Sequence, residues 1–146
     1  EHKLLDTYIK ENNQQEYVFL LGPVFDEVEL AKCFSRALLC ISPDQAGLSV
    51  LKSMGYGVPF VTRTNAITGG ERLNIEDRVN GILYSTPEEL MATILDASKN
   101  PDKYLSMGIR AREYYENNAS IELMAKGIID AIHYANKKWL NVRQVI

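Results

Sequence analysis

Three short segments of the sequence carry residues that could bind a ligand, and one of them could bind an anion. They are residues 22–25, 43–47 and 63–71, and each follows a short apolar run. In open parallel sheets, ligands bind beyond the carboxyl ends of the strands. If the apolar runs are parallel strands, the three segments meet at one edge of a sheet. The alternative for any single loop is that its glycines only turn the chain.

The second and third segments offer different groups to a ligand. The second enters a helix through Ala46 and Gly47, which leaves unpaired backbone N–H groups facing outward with little side-chain bulk around them. This favours an anion site. The third segment contains Gly69 and Gly70, which let a ligand approach the backbone, with the charged residues Arg63 and Glu71 nearby.

Other chemistries lack the residues they need. The sequence has no GxSxG, Walker or GxGxxG motif, and neither histidine has a carboxylate or cysteine at metal-ligand spacing, so we expect no metal. The net charge of −3, from 16 basic and 19 acidic residues, provides no basic field for nucleic acid or anionic lipid. Cys33 and Cys40 fit neither a zinc knuckle nor a redox pair. We expect buried free thiols in a reducing, cytoplasmic compartment.

The elements that must position these loops alternate between strands and helices, which indicates an α/β fold with a mostly parallel sheet. We predict one domain over residues 1–146. The predicted strands are 17–21, 38–42, 59–62 and 82–84. Two of the predicted helices span residues 2–13 and 47–55, and a helix between them begins at a cap formed by Asp26 and Glu29. Three further helices are predicted to begin near Thr86–Pro87, Asn100–Pro101 and Ser120.

The last helix carries one apolar stripe. Its members lie three or four residues apart: Ile121, Met124, Ile128, Ile132, Ala135 and Trp139. Such a stripe usually packs in a core, and the alternative is that part of it docks on a missing partner domain.

The apolar runs and the first residue of the sequence indicate whether it spans a membrane and whether it is part of a longer chain. Residues 17–25 and 37–41 are too short to cross a bilayer, and the first residues do not have the pattern of a signal segment, so we expect neither a transmembrane span nor a signal peptide. The sequence begins at Glu1 without a methionine, so we expect it to be part of a longer polypeptide.

Residues 42–61, SPDQAGLSVLKSMGYGVPFV, resemble the donor-binding signature of family 4 glycosyltransferases, in the C-terminal half of their two-domain GT-B fold. The similarity extends to 18–24 (VFLLGPV), to Gly69–Gly70 and to 79–83 (VNGIL). It implies a Rossmann-like parallel sheet with helices on both faces. It also implies a retaining transferase whose donor, a nucleotide-diphosphate sugar, lies between two domains without a metal or another cofactor.

The resemblance implies a set of donor-binding positions but no catalytic residue. They are Gly22, Pro23, Asp44, Gln45, Ala46, Gly47, Leu48, Lys52, Arg63, Gly69, Gly70 and Glu71. Asp44 and Lys52 stand where the family has two glutamates, the first near the sugar hydroxyls and the second on the ribose. Asp44 can still accept hydrogen bonds, whereas a protonated lysine cannot. Lys52 either donates to donor oxygens or is a solvated helix residue. Arg72–Leu73 replaces the family's proline–glutamate.

The family's acceptor-binding groups and phosphate-binding basic residues fall outside this sequence. The resemblance therefore implies a missing N-terminal domain, through which any peripheral membrane association would occur, and a fragment that is inactive alone. It suggests polysaccharide or surface-glycan synthesis. Two alternatives remain: a non-catalytic Rossmann-like binding or interaction module, and a sugar-nucleotide epimerase of the same fold.

Overall fold

The computed structural model describes residues 2–143, and the side chains of residues 3–137. The chain divides into two compact units, Glu1–Cys33 and Phe34–Ile146. The single domain over residues 1–146 stays a prediction.

The first unit is built on helices. Helix α1, His2–Glu11, buries Ile9, and Asn13 follows it with a positive φ of 53°. Helix α2, Glu27–Phe34, begins after Asp26, whose Oδ1 accepts a hydrogen bond from the N–H of Glu29 at 2.9 Å. An N-cap of this kind satisfies an N–H that has no partner inside the helix. Both predicted helices are confirmed, with shorter bounds.

The strand predicted over residues 17–21 is wrong. The segment begins in a turn, in which Tyr17 and Val18 both donate their N–H to the carbonyl of Gln14. Tyr17, Phe19 and Leu21 are exposed. A strand exists only by pairing, and within the described part of the first unit no other segment pairs with this one. An apolar run without a partner strand stays irregular.

The second unit contains a parallel sheet of three strands in the order β1-β2-β3. The strands are β1, Cys40–Ile41; β2, Phe60–Arg63; and β3, Gly81–Tyr84. Phe60 lies opposite both Cys40 and Gly81. The predicted strands are confirmed, although β1 is shorter than expected. Gly81 allows close pairing, because a Cβ there would lie 2.8 Å from the carbonyl oxygen of Phe60.

Helices cover the sheet through two hydrophobic clusters. They are α3, Ser49–Gly55; α4, Pro87–Lys99; and α5, Pro101–Asn118. Successive side chains of a strand point to opposite faces, and Phe60 joins the cluster of Val50 and Met54 from α3. Its neighbour Val61 joins the other cluster, with Ala97 from α4 and Tyr104 from α5. The fold class predicted from the sequence is confirmed.

The predicted helix starts have different outcomes. Thr86 caps α4 by accepting a hydrogen bond from the N–H of Glu89, while the Glu89 carboxylate accepts one from the N–H of Ser85. Helix α5 begins where predicted, with Asn100 at its N-cap position and Pro101 at its start, but the side chain of Asn100 makes no capping bond. Its amide donates instead to Asp96 of the preceding helix, at 2.7 Å.

Helix α6, Ile121–Arg143, begins where predicted, with Ser120 accepting a hydrogen bond from the N–H of Leu123. Core packing of its apolar stripe was the main expectation, and that expectation is wrong. Ile121, Met124, Ile128 and Ile132 are all exposed, and Trp139 lies outside the described side chains. Over the residues described here, no helix is both long and apolar enough to cross a membrane.

Candidate functional site

Two of the three predicted loops are joined beyond the carboxyl ends of β1 and β2. The N–H of Ala46 donates to the carbonyl of Ile67 at 2.8 Å, and the N–H of Ile67 donates to that of Asp44 at 2.9 Å. Gln45 and Ile67 form an isolated parallel bridge. These bonds extend the pairing of the two strands past their ends, so residues 43–47 and 63–67 form one surface, as the sequence predicted.

An ion pair crosses this surface. Arg63, the last residue of β2, places Nη1 at 3.3 Å from Oδ1 of Asp44. The side chain of Asp44 is 74% exposed and that of Arg63 43%. Oδ2 of Asp44 has no partner among the described residues. The pair thus presents an open carboxylate oxygen beside a guanidinium.

Gly47 and Leu48 contribute open backbone donors next to this pair. Neither N–H donates to any residue of the described chain. A Cβ at Gly47 would meet none of the described residues within 4 Å, so the space next to its Cα is open. The site rests on these two N–H groups and not on the dipole of α3, because that helix has only 7 residues.

Gln45 and Ala46, the two predicted site residues between Asp44 and Gly47, differ in their exposure. Gln45 is exposed, while the side chain of Ala46 is fully buried in the cluster under α3. Ala46 therefore offers a ligand no side-chain contact, and its N–H is already bonded to Ile67.

The glycine pair of the third loop is held by its own side chains. The Glu71 carboxylate accepts hydrogen bonds from the N–H of Gly69 at 2.9 Å and from the Thr68 hydroxyl at 3.2 Å. The Thr68 oxygen in turn accepts from the N–H groups of Gly70 and Arg72. Gly70 has a φ of 127°, which favours glycine. Glu71 thus closes the loop on itself, and Thr68 is a contributor that the sequence analysis missed, although Thr68-x-x-Glu71 has capping-box spacing.

Lys52 lies on the exposed side of α3, at the edge of an apolar cavity of about 360 Å³. The cavity wall includes Leu48 from the site and, from the far side, Tyr115 and Met124. Lys52 and Leu48 therefore both belong to the wall of this apolar cavity. Whether Lys52 contacts a donor stays a prediction.

Gly22 and Pro23 belong to the first unit and are described there alone. Gly22 has a φ of 67°, and a Cβ there would meet nothing within 4 Å. This conformation explains why glycine stands at the turn. Both residues are exposed, and their contact with a donor stays a prediction.

The cysteines and acids of the described region make no metal site. No group of three His, Cys, Asp or Glu side chains there could hold a metal ion. Both cysteines are free. Cys40 is partly buried, and burial raises the pKa of its thiol. The expectation that Cys33 is buried is wrong, because Cys33 lies on the exposed side of the short helix α2.

Comparison with known families decides the identity of the chain. The family model described as glycosyl transferases group 1 matches residues 2–100. The chain belongs to the group 1 glycosyltransferases. No curated protein matches the sequence closely enough to count as a relative.

Solved structures show the same fold at low sequence identity. Sucrose-phosphate synthase from Thermosynechococcus elongatus matches with a TM-score of 0.77 and 19% identity, over 93% of this chain and 34% of that one. Anabaena HepE in complex with UDP matches with a TM-score of 0.74 and 20% identity, over 90% of this chain and 36% of that one.

A third match is a C-terminal domain. It comes from a glycosyl transferase group 1 family protein of Francisella tularensis, with a TM-score of 0.67 and 14% identity, over 82% of this chain and 63% of that one. The fold of this group 1 chain is therefore that of the C-terminal half of a GT-B glycosyltransferase. The chain spans about a third of the length of the first two structures.

Proposed function

We propose that this chain is the donor-binding half of a retaining glycosyltransferase that takes a nucleotide-diphosphate sugar and transfers the sugar to a glycan acceptor. The observation that carries the proposal is the surface beyond β1 and β2. There the two open N–H groups of Gly47 and Leu48 lie in the same loop as the Asp44 carboxylate. Membership of the glycosyltransferase family supports it. We further propose polysaccharide or surface-glycan synthesis in the cytoplasm.

The role proposed for each residue follows from the hydrogen-bond donor or acceptor that it offers to the nucleotide-diphosphate sugar. The N–H groups of Gly47 and Leu48 donate to oxygens of the diphosphate, and Oδ2 of Asp44 accepts from a sugar hydroxyl. When the bond between sugar and phosphate breaks, negative charge develops on the diphosphate. Fixed N–H donors stabilise that charge without reorganising. Lys52, one helical turn after Leu48, donates to ribose or phosphate oxygens. No nucleophile or general base is assigned, and no metal or other cofactor is required by these roles.

A second domain completes the proposed site. Because the chain spans about a third of the first matched structures, we propose that an N-terminal domain of the same polypeptide supplies the acceptor groups and further phosphate ligands. The exposed stripe on α6 supports this, since an uncovered apolar surface of this kind marks an interaction site.

A non-catalytic binding module is the second candidate. The observation that favours it is that two charged residues of the site are already engaged within the chain. Glu71 bonds its own loop, and one oxygen of Asp44 faces Arg63. In this candidate the loops preserve the fold and bind no donor.

A nitrogen-15 NMR titration of this chain with UDP and UDP-glucose tests the proposal and detects weak binding. Both probes are present in solved complexes of Anabaena HepE. GDP and GDP-mannose serve as a second pair. We expect chemical-shift changes at the amides of Gly47 and Leu48, with the amides of α4 as an internal control. Absence of shifts with every probe at millimolar concentration, or shifts confined to other regions, would support the non-catalytic module.

A further inference from the structure

The resemblance places Arg63 among the donor-binding positions, but we propose a different role: Arg63 is a positioning residue, which orients the Asp44 carboxylate and does not itself bind the donor. This inference rests on the proposed function in one respect: it assigns Asp44 to the sugar. The contact that carries it is the 3.3 Å approach of Nη1 of Arg63 to Oδ1 of Asp44.

The two residues lie in different local structures. Asp44 lies in an irregular loop, and its side chain is 74% exposed, with Arg63 as its one partner among the described residues. Arg63 lies in β2, where it pairs with Tyr84 of β3, and its own N–H approaches the carbonyl of Pro43 at 3.4 Å. Strand β2 therefore holds the backbone of Arg63 in place, and the guanidinium of Arg63 limits the rotation of the Asp44 carboxylate.

The geometry of the ion pair separates the roles of the two carboxylate oxygens. Oδ1 faces Arg63, which leaves Oδ2 without a partner among the described residues. A carboxylate oxygen accepts hydrogen bonds only, so the open Oδ2 suits a sugar hydroxyl. Without the Arg63 side chain, the Asp44 carboxylate would rotate freely. Oδ2 would then face the sugar hydroxyl for only part of the time.

The size of the effect follows from the exposure of the pair. Exposed ion pairs contribute little, and their measured strengths correspond to a change of up to about fivefold in an equilibrium. Salt weakens such pairs. The effect should therefore be modest, restricted to the sugar and smaller at high ionic strength.

The test compares UDP with UDP-glucose binding in three variants of this chain. Arg63→Met removes the charge, Arg63→Lys keeps it, and Arg112→Met is a matched control, because Arg112 pairs with Glu116 at 2.8 Å on the exposed side of α5. We expect Arg63→Met to lower the affinity for UDP-glucose relative to UDP by about two- to fivefold, with the UDP affinity unchanged. Arg63→Lys should restore part of the ratio, and Arg112→Met should leave it unchanged.

Two binding results would overturn the proposal. An equal loss of UDP affinity in Arg63→Met would make Arg63 a ligand of the diphosphate. An unchanged ratio would show that Asp44 needs no partner to be oriented.

Scalar couplings about χ1 of Asp44 test the contact without a ligand. We expect one dominant rotamer in the wild-type chain and averaged couplings in Arg63→Met. Averaged couplings in the wild type would overturn the proposal. A fixed rotamer together with no binding of UDP, UDP-glucose or the guanosine pair would reject the proposed function and leave the positioning contact intact.

Discussion

Gly47 is the residue whose substitution best separates ligand binding from folding. It has no positive φ, and a Cβ there would meet none of the described residues within 4 Å. We expect Gly47→Val to leave the free energy of unfolding within about 0.5 kcal/mol of wild type. The valine would occupy the space of the diphosphate, and loss of charged hydrogen bonds worth about 1.5–3 kcal/mol should weaken donor binding at least about tenfold. Urea unfolding and the NMR titration measure the two effects. A folded variant with unchanged donor affinity would place the diphosphate elsewhere.

Lys52 tests the departure from the family pattern. If its ammonium donates to donor oxygens, Lys52→Ala should weaken binding about tenfold, since a charged hydrogen bond is worth about 1.5–3 kcal/mol. Titration calorimetry with UDP measures this, and Lys137→Ala on the exposed side of α6 is the control. Lys52→Glu gives the second comparison. Tighter binding would indicate an intact ribose site, whereas still weaker binding would indicate a site rebuilt around a positive charge. Unchanged affinity in both variants would remove Lys52 from the site.

At the residue scale, the sequence predicts which loops form the site but not how their side chains are engaged. The proximity of Asp44 and Arg63 follows from the ends of adjacent strands. The use of Glu71 within its own loop depends on hydrogen bonds among Thr68, Gly69 and Glu71. Such local bonds compete with ligand binding for the same groups, and residue type alone does not decide between them.

At the element scale, close packing of α5 depends on Gly108. A Cβ at Gly108 would collide with the backbone carbonyl of Gly57. Gly108→Ala should therefore destabilise the fold by about 1–3 kcal/mol, because the backbone has to shift. Gly127 on α6 is the matched control, since a Cβ there meets nothing within 4 Å. Gly127→Ala should stabilise the helix by up to about 1 kcal/mol. Urea unfolding measures both, and equal effects of the two substitutions would contradict the packing.

Asp96 links α4 to α5 and makes that link sensitive to acid. Hydrogen bonds from Lys103, Tyr104 and Asn100, in that order of effect, lower the pKa of Asp96 from its ordinary 3.8 to about 2. A lowered carboxyl pKa contributes stability that is complete above pH 3.8 and is lost as the pH falls through about 2.

The expected result is that Asp96→Asn lowers the melting temperature at pH 6, and that its difference from wild type shrinks as the pH approaches 2. Asp102→Asn, an exposed acid in the first turn of α5, is the control. The pKa of Tyr104, raised to about 12 by burial and by Asp96, adds stability that is complete below pH 10 and lost as the pH rises through about 12. A pH-independent difference between wild type and Asp96→Asn would contradict this linkage.

Elements whose start is marked by local residues could be predicted from the sequence, whereas elements that form only against another segment could not. Helix α4 has the cap residues Thr86 and Pro87 at its start. Strands β2 and β3 were predicted correctly because each is an apolar run that pairs with the other. Residues 17–21 have equally apolar composition but no strand beside them in the described part of their unit. Likewise, the spacing of the α6 stripe predicts an apolar face, but not the surface that covers it.

At the scale of the whole molecule, length limits what this chain can do. A nucleotide-sugar site requires a donor surface, which we propose to be formed by the loops after β1 and β2, and an acceptor held against it. Orientation of two substrates can account for about 7–11 kcal/mol of a barrier. The chain spans about a third of the length of the first matched structures and has an exposed apolar stripe on α6, so in the proposed function it forms one face of such a cleft.

We therefore expect this chain to bind UDP or UDP-glucose and to transfer no sugar. Loss of even 7 kcal/mol of orientation would slow transfer by about 10⁵-fold, below the rate of ordinary turnover. Release of radiolabelled sugar from UDP-glucose to a mixture of glycan acceptors measures this, with binding by NMR as the control that the donor site is intact. The same assay on the chain joined to an N-terminal domain should recover activity. Transfer at ordinary turnover by this chain alone would show that it contains a complete active site, and the proposed N-terminal domain would then have no catalytic role.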